Sequence, residues 1–260
     1  TEGFDPKRPG QYYFYSSYRY RMCPGCSCRP RESGRCNTAC LNILMEFIVK
    51  LILCYLLGSI SGSMLMGKLR GVDIREMGSG NAGSTNAFRT MGAVFAIGVF
   101  FIDILKGFIA VKFVPFLKLE GILATNTINI ELLHILCGMG AVVGHVYPLY
   151  HGFNGGKGAG TMVGVLLALF PTYLIIGVPI WLVVLLLTGY VGLSTMIGGI
   201  ALPICTLIFY PHGIYSPFGF FSMMVSVFII YTHRSNIHRM IGGNENRFKK
   251  IMLFQKKSDN

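Results

Sequence analysis

Residues 158–233 read GAGTMVGVLLALFPTYLIIGVPIWLVVLLLTGYVGLSTMIGGIALPICTLIFYPHGIYSPFGFFSMMVSVFIIYTH, a run of 76 positions without one Lys, Arg, Asp or Glu. A soluble domain carries roughly 25% charged residues, and no water-soluble fold of this length does without them. A bilayer favours their absence, because a spanning helix needs about 20 apolar residues and satisfies its backbone hydrogen bonds internally. The whole chain agrees, with 52% hydrophobic and 13% charged residues in 260. The predicted fold class is all-α, a polytopic integral membrane protein.

The run is punctuated by Pro171, Pro179, Pro203, Pro211 and Pro217 and by Gly189, Gly192, Gly198 and Gly199. It divides either into three equal spans ending near Leu187, Tyr210 and Thr232, or into four shorter ones that begin with a half-helix over 159–170. Upstream, hydropathy predicts helices at about 46–66, 93–115 and 130–150. Between them lie a polar, Gly-rich loop at 67–92 and a tight turn at 117–129 on the opposite face. Lys68, Arg70, Arg75 and Arg89 in the loop, and Arg234, Arg239, Arg247, Lys249, Lys250, Lys256 and Lys257 in the tail, place both segments on the cytoplasmic side. Two spans separate the first loop from the polar loop 151–158, which is then cytoplasmic too. The uncharged run therefore crosses an even number of times. Four crossings give about seven transmembrane helices, some short or broken, with the N-terminus outside and the C-terminus cytoplasmic.

Residues 1–44 differ in composition. They hold five of the eight cysteines, tyrosines from Tyr12 to Tyr20 and seven basic residues, and Met45 stands directly before the first apolar run. Arg29, Arg31 and Arg35 would sit outside, against the positive-inside rule. Both features favour an extension upstream of a native start at Met45, with the functional domain at 45–260. The rival is a zinc knuckle, since Cys23-x-x-Cys26 has a ligand spacing, but Cys36 and Cys40 are looser and the segment has no His. Cys54, Cys137 and Cys205 lie singly in apolar runs and are expected to pack. The net charge of +12 fits topology or an anionic lipid or phosphorylated substrate. It does not fit nucleic acid, because the basic residues are spread over short loops.

Three polar segments fall on the cytoplasmic face, near 70–92, 144–161 and 233–246. The first, Gly78-Ser79-Gly80-Asn81-Ala82-Gly83-Ser84-Thr85-Asn86-Ala87-Phe88-Arg89, combines flexible backbone, small donors and a guanidinium fork, the ingredients of an anion site. Its G-x-G-x-x-G match, with Asp103 twenty residues beyond Gly83, is a decoy, because membrane-length apolar runs flank it where a dinucleotide fold needs strands. The second contains Gly144-His145-Val146-Tyr147-Pro148 and Gly155-Gly156-Lys157-Gly158. It is no Walker A loop, since Gly158 stands where Ser or Thr should be, yet it sets an ammonium directly before a helix N-terminus. The third is His233-Arg234-Ser235-Asn236-Ile237-His238-Arg239 followed by Gly242-Gly243-Asn244-Glu245. If the last helix continues past Thr232, His233 and Asn236 share a face. For His145 and the third segment a purely structural role, as a satisfied histidine and a basic helix cap, is the competing reading.

Taken in order, these segments resemble the PlsY family, bacterial integral-membrane glycerol-3-phosphate acyltransferases that use acyl phosphate as donor. The matching positions are Gly58-Ser59-Ile60 and Gly62; Asp73-Ile74-Arg75 with Gly78-Ser79-Gly80-Asn81, Gly83, Thr85-Asn86 and Arg89; and Asp103-Ile104-Leu105-Lys106-Gly107. Gly144-His145, Tyr147-Pro148 and Gly155-Gly156-Lys157-Gly158 follow, then His233-Arg234-Ser235-Asn236-Ile237, Arg239, Gly242 and Glu245. Ser61 and Ala82 depart from the family pattern, each standing where Pro is usual, and Ala159-Gly160 replaces a Val-Ala-like pair. The resemblance implies seven helices in the bacterial plasma membrane, with one cytoplasm-facing site built from three motifs. It also implies attack of the sn-1 hydroxyl of glycerol 3-phosphate on an acyl phosphate, giving 1-acyl-sn-glycerol 3-phosphate and phosphate, the first step of phospholipid biosynthesis. Acyl phosphate would come from a separate enzyme, membrane lipids would be the surroundings, and no CoA, acyl-carrier protein, metal or other cofactor is called for.

On that reading the catalytic residues are Ser79, Arg89, Lys157, His233, Asn236 and Glu245, with Arg89, Lys157 and His233 as the phosphate-binding set. Substrate would also meet Ser59, Asn81, Thr85, Asn86, His145, Gly155, Gly156, Gly158 and Arg239. An acyl phosphate is an activated anhydride, so positioning and charge stabilisation suffice to lower the barrier. His145 or Glu245 would act as a base or hold the loops, and no base beside Ser79 is fixed by the sequence for an acyl-enzyme route. The rival class is a transporter of an anionic metabolite, built from Gly/Pro-broken helices with inward basic residues. It lacks support from internal repeats, and the charges gather at one interface apart from Asp103 and Lys106.

Overall fold

The computed structural model describes residues 33–117 and 129–253, in which regular structure is entirely helical. Ten α-helices follow one another: α1 (Ser33–Gly58), α2 (Gly62–Arg70), α3 (Ser84–Met91), α4 (Ala93–Lys112), α5 (Ile130–Val146), α6 (Ala159–Leu169), α7 (Pro171–Thr188), α8 (Val191–Phe209), α9 (Pro217–Thr232) and α10 (Arg234–Ile241). The cysteines of the supposed zinc knuckle lie outside the described side chains, and most of the turn expected at 117–129 lies outside the described residues.

The uncharged run divides into four helices, α6 to α9, and the local chemistry shows why. Phe170, restricted by the proline after it, takes an extended φ of −146° and ends α6 while Pro171 opens α7. Gly189 closes α7 in the left-handed region at φ 72°. Ser216 caps α9 by accepting the Gly219 N–H at 2.9 Å, with Pro217 at the first helical position. α4, α5, α7 and α8 are long and apolar enough to cross a membrane, and α1 with α2 adds a fifth candidate if the pair, bent by 40°, is one span. The 11 residues of α6 reach only about 16 Å at 1.5 Å per residue, half a bilayer core. This is the half-helix expected over 159–170.

Two expectations are corrected. The single helix predicted over 46–66 starts upstream, at Ser33, stops at Gly58 and resumes as α2. The segment 67–92 holds the end of α2, a 3-10 turn over Ile74–Glu76 and the whole of α3, where a loop was expected.

Small residues bring the spans together. Gly107 of α4 faces the Thr161 carbonyl of α6, and Gly164 of α6 faces the Ile104 carbonyl of α4, so that a Cβ at either position would strike backbone. Close approach of this kind replaces the hydrophobic drive that lipid removes. Cys54, Cys137 and Cys205 are free and buried, as expected. α5 and α9 end at one polar cavity while α6 and α8 begin there, so the loops that carry the three motifs meet at one end of the bundle.

Candidate active site

The first motif is a wound loop held by one side chain. Asn86, 1% exposed on α3, accepts the Ser79 N–H at 2.8 Å and donates to the carbonyls of Ile74 at 3.1 Å and Met77 at 2.9 Å. Gly78 turns the chain at φ 58°, a left-handed conformation, and a Cβ there would run into the Asn86 amide. Asn86 was expected to contact substrate. Its amide is committed to the loop instead, and it supports the wall from which Ser79, Asn81 and Thr85 face the cavity. Ser84 and Thr85 open α3, whose N-cap, Gly83, has no side chain to occupy the first N–H groups. Such a terminus favours an anion.

The second motif is braced from below. Lys106 of α4 donates to His145 Nδ1 at 2.8 Å and to the Ile60 carbonyl at 2.7 Å, and its ammonium lies 3.0 Å from Asp103 Oδ1. The Gly155 and Gly156 N–H groups donate to the carbonyls of Val146 and His145, both at 3.2 Å. They close the loop onto α5, so the expectation that these donors orient substrate is corrected. Neither glycine lines the cavity, nor do Ser59 and Gly158. Ser59 joins α1 to this loop, donating to the Tyr55 carbonyl at 2.8 Å and accepting the Leu149 N–H at 3.3 Å. Gly158, at φ 87°, turns the chain into α6. Between these turns Lys157 reaches the cavity.

In the third motif the last membrane helix does not run on. α9 ends at Thr232, His233 is the junction and α10 starts at Arg234. Asn236 is the hub, accepting the Lys157 ammonium through Oδ1 and donating to Glu245 Oε1 at 2.9 Å. Glu245 Oε2 accepts Arg239 Nε at 2.6 Å. The Thr232 hydroxyl donates to the Lys157 carbonyl at 3.1 Å, tying the second motif to the third. Arg89 donates to the Asn246 carbonyl at 3.2 Å, which adds the first.

Together Ser79, Asn81, Thr85, Asn86, Arg89, His145, Lys157, His233, Asn236, Arg239 and Glu245 line a cavity of about 70 Å³. Burial, reinforced by Arg239, pulls Lys157 down to about 8, while Glu245 works the other way. Burial, with Lys157 nearby, pulls His233 down to about 4. Its Nδ1 sits 2.8 Å from the Ile229 carbonyl and so carries the proton, leaving Nε2 as an acceptor. His233 was expected in the phosphate-binding set with Arg89 and Lys157; lowered to about 4, it is an uncharged acceptor at neutral pH. Glu245 already engages Arg239, so Arg89 and Lys157 are the cations left to meet an anion.

The family profile for glycerol-3-phosphate acyltransferase matches residues 48–243. The chain belongs to the PlsY family of glycerol-3-phosphate acyltransferases. The glycerol-3-phosphate acyltransferase of Chlorobium luteolum is 38% identical over 228 residues, which is 78% of this chain and 97% of that one. That of Chlorobium phaeobacteroides is 36% identical over 230 residues, covering 79% and 98%. Two crystal structures of PlsY, an integral membrane glycerol 3-phosphate acyltransferase, one in the glycerol 3-phosphate form and one in the lysophosphatidic acid form, superpose with TM-scores of 0.66 and 0.65. Both are 36% identical, covering 80% of this chain and 99% of that one. The chain is thus an integral membrane acyltransferase acting on glycerol 3-phosphate.

Within this PlsY-family site the sequence reading missed several wall residues. Asp103 was quoted as a family match and given no role, yet it lines the cavity beside Gly160, Gly192 and Thr195. Its signal was available: an acid with a lysine three residues on, inside an apolar helix, marks a paired functional position. The small residues of α6 and α8 carry no chemical signal and emerge only from packing.

Proposed function

We propose that the chain transfers the acyl group of an acyl phosphate to the sn-1 hydroxyl of glycerol 3-phosphate, giving 1-acyl-sn-glycerol 3-phosphate and phosphate. What carries the reading is the convergence of Arg89 and Lys157, from separate motifs, on a cavity whose other ionisable wall groups are already paired or neutral. The crystallised PlsY relatives in glycerol 3-phosphate and lysophosphatidic acid forms support this acceptor and this product. The donor is supported by the absence from the sequence of His-x-x-x-x-Asp, the dyad by which thioester-using glycerophosphate acyltransferases deprotonate the hydroxyl. An acyl phosphate needs less help, because phosphate is a good leaving group.

In the reaction the hydroxyl oxygen forms an ester bond to the acyl carbon while the acyl carbon–phosphate oxygen bond breaks. Arg89 and Lys157 bind phosphate oxygens and offset the charge that develops on the leaving group. His233 orients the hydroxyl through Nε2. A group titrating near 4 stores a proton poorly at neutral pH, so the hydroxyl proton passes to the phosphate oxygen released by the acyl carbon, and the leaving group departs as hydrogen phosphate. Ser79 and Thr85 flank the reacting groups, and Asn236, Glu245 and Arg239 hold Lys157. The site faces the cytoplasm of a bacterial plasma membrane, the acyltransferase domain spans 45–260, and a separate enzyme supplies the acyl phosphate.

Purified protein given labelled glycerol 3-phosphate and palmitoyl phosphate, without CoA, is expected to form lysophosphatidate. Lys157→Ala and Arg89→Ala should each lower kcat by about 10²–10³, the range for removing a charge-stabilising donor. Activity with acyl-CoA alone, or both variants at wild-type rate, overturns the assignment.

A further inference from the structure

Beyond residue 243, where the family profile ends, the described chain crosses the mouth of the cavity as a strap. It touches both the site and its rim. Glu245 points in to Asn236 and Arg239. The Asn246 carbonyl takes the Arg89 guanidinium at 3.2 Å. Arg247 lies over the Tyr190 ring, 4.4 Å from its centroid, at the turn between α7 and α8. The strap is pinned there by backbone bonds from Phe248 N–H to the Gly189 carbonyl at 2.9 Å and from Leu253 N–H to the Leu186 carbonyl at 3.0 Å.

Phe248 also meets the cation of the site. Its ring packs on Phe88 of α3 with centroids 5.6 Å apart, and the Arg89 guanidinium carbon lies 4.9 Å from the ring centroid, within the range of a cation–π contact. Arg89 is therefore held at two points, by a carbonyl and by an aromatic face, both from one segment anchored to the opposite wall. An unheld arginine samples many rotamers, and fixing one before the anion arrives removes part of the ordering cost from binding.

We infer that Phe248 is a positioning residue for the phosphate-binding Arg89, and that the 244–253 strap sets the affinity of the site for a phosphorylated substrate. The inference rests on the role given to Arg89 under the proposed function. In steady-state assays Arg89→Lys first identifies the substrate whose KM depends on the fork. Phe248→Ala should raise that same KM about fivefold, the size of a partly desolvated cation–π contact, with a smaller effect on kcat. Phe248→Leu, which keeps apolar bulk without a ring, should match Phe248→Ala, and Phe248→Trp should restore the KM. In the Arg89→Lys background, Phe248→Ala should add less than it does alone. A wild-type KM in Phe248→Leu overturns the inference, as does a lowered kcat and melting temperature in Phe248→Ala with KM unmoved. If neither Arg89→Lys nor Arg89→Ala alters either KM, the assignment of Arg89 itself is what fails, and the inference falls with it.

Discussion

Lys157 gives the site a pH dependence whose direction is fixed by its surroundings. Burial and Arg239 lower it to about 8, so the ammonium is complete below pH 7 and disappears as pH rises through 8. Phosphate binding should weaken over that interval. Stability should move the other way: between pH 8 and the unfolded value near 10.4 the unfolded chain binds the extra proton, so folding gains with pH. A profile of kcat/KM is expected to fall above pH 8 while the melting temperature does not, and Lys157→Arg, which keeps its proton, should lose the fall if it turns over. A flat profile through pH 9 in the wild type would remove Lys157 from phosphate binding. At this scale the sequence was informative wherever polar residues cluster: Arg89, Lys157, Asn236 and Glu245 all reach the cavity. It misled where the question was what each polar atom is bonded to. Asn86, Gly155 and Gly156 look like ligand donors until their partners are seen to be backbone carbonyls and, for Asn86, a backbone N–H.

At the scale of elements, the break between α1 and α2 explains a pair of charges in an apolar helix. Backbone groups freed in a membrane must be satisfied within the protein. Lys106 takes the Ile60 carbonyl at 2.7 Å, Asp103 takes the Gly62 N–H at 3.3 Å, and the two pair at 3.0 Å with side chains only 3% exposed. Lys106→Met removes the ammonium from the Ile60 carbonyl and from the buried carboxylate, which keeps the Gly62 N–H and His145 Nδ1, both at 3.3 Å, but loses its cation, a loss of about 3–5 kcal/mol by the usual cost of breaking a buried pair. Thermal unfolding in detergent should show a large drop for Lys106→Met, and an unchanged midpoint would mean that the brace is dispensable. The break was not legible because nothing at 59–61 looks like a breaker. Ser61 stands where the family usually has Pro, and it ends the irregular segment by capping α2, accepting the Met64 N–H at 3.4 Å. α3 was hidden for a related reason: eight residues, five of them polar or charged, give too little apolar periodicity to register. By contrast, Pro171, Gly189 and Pro217 act through local backbone geometry and mark the observed breaks, although the same punctuation also fitted three spans and only the parity of the crossings favoured four.

For the whole molecule, the arrangement of charge and the position of the site are one fact seen twice. The end that carries the cavity also carries Lys68, Arg70, Arg75, Arg89, Arg234, Arg239 and Arg247. At the far end, among the described residues, Glu46 and Lys50 pair with each other at 2.5 Å, Lys112 and Glu131 have opposite signs, and Arg35 of α1 adds one basic residue. The proposed cytoplasmic orientation rests on this asymmetry, since a membrane protein tends to keep its basic end in the cytoplasm, and in that orientation a phosphorylated acceptor would reach the cations without crossing the bilayer. Helix polarity agrees, since α5 and α9 arrive at the cavity and α6 and α8 leave it. α9 arrives last, so the tail beyond α10 stays on the cavity side whatever the length of α6. A fluorescent protein fused after Asn260 should therefore mature and fluoresce in intact bacterial cells, and alkaline phosphatase fused at the same point should remain inactive. The reverse pair of results would put the cavity outside the cell. The cytoplasmic orientation would then fail even if the acyl transfer itself were confirmed, because the chemistry depends on the cavity and the orientation on the loops around it.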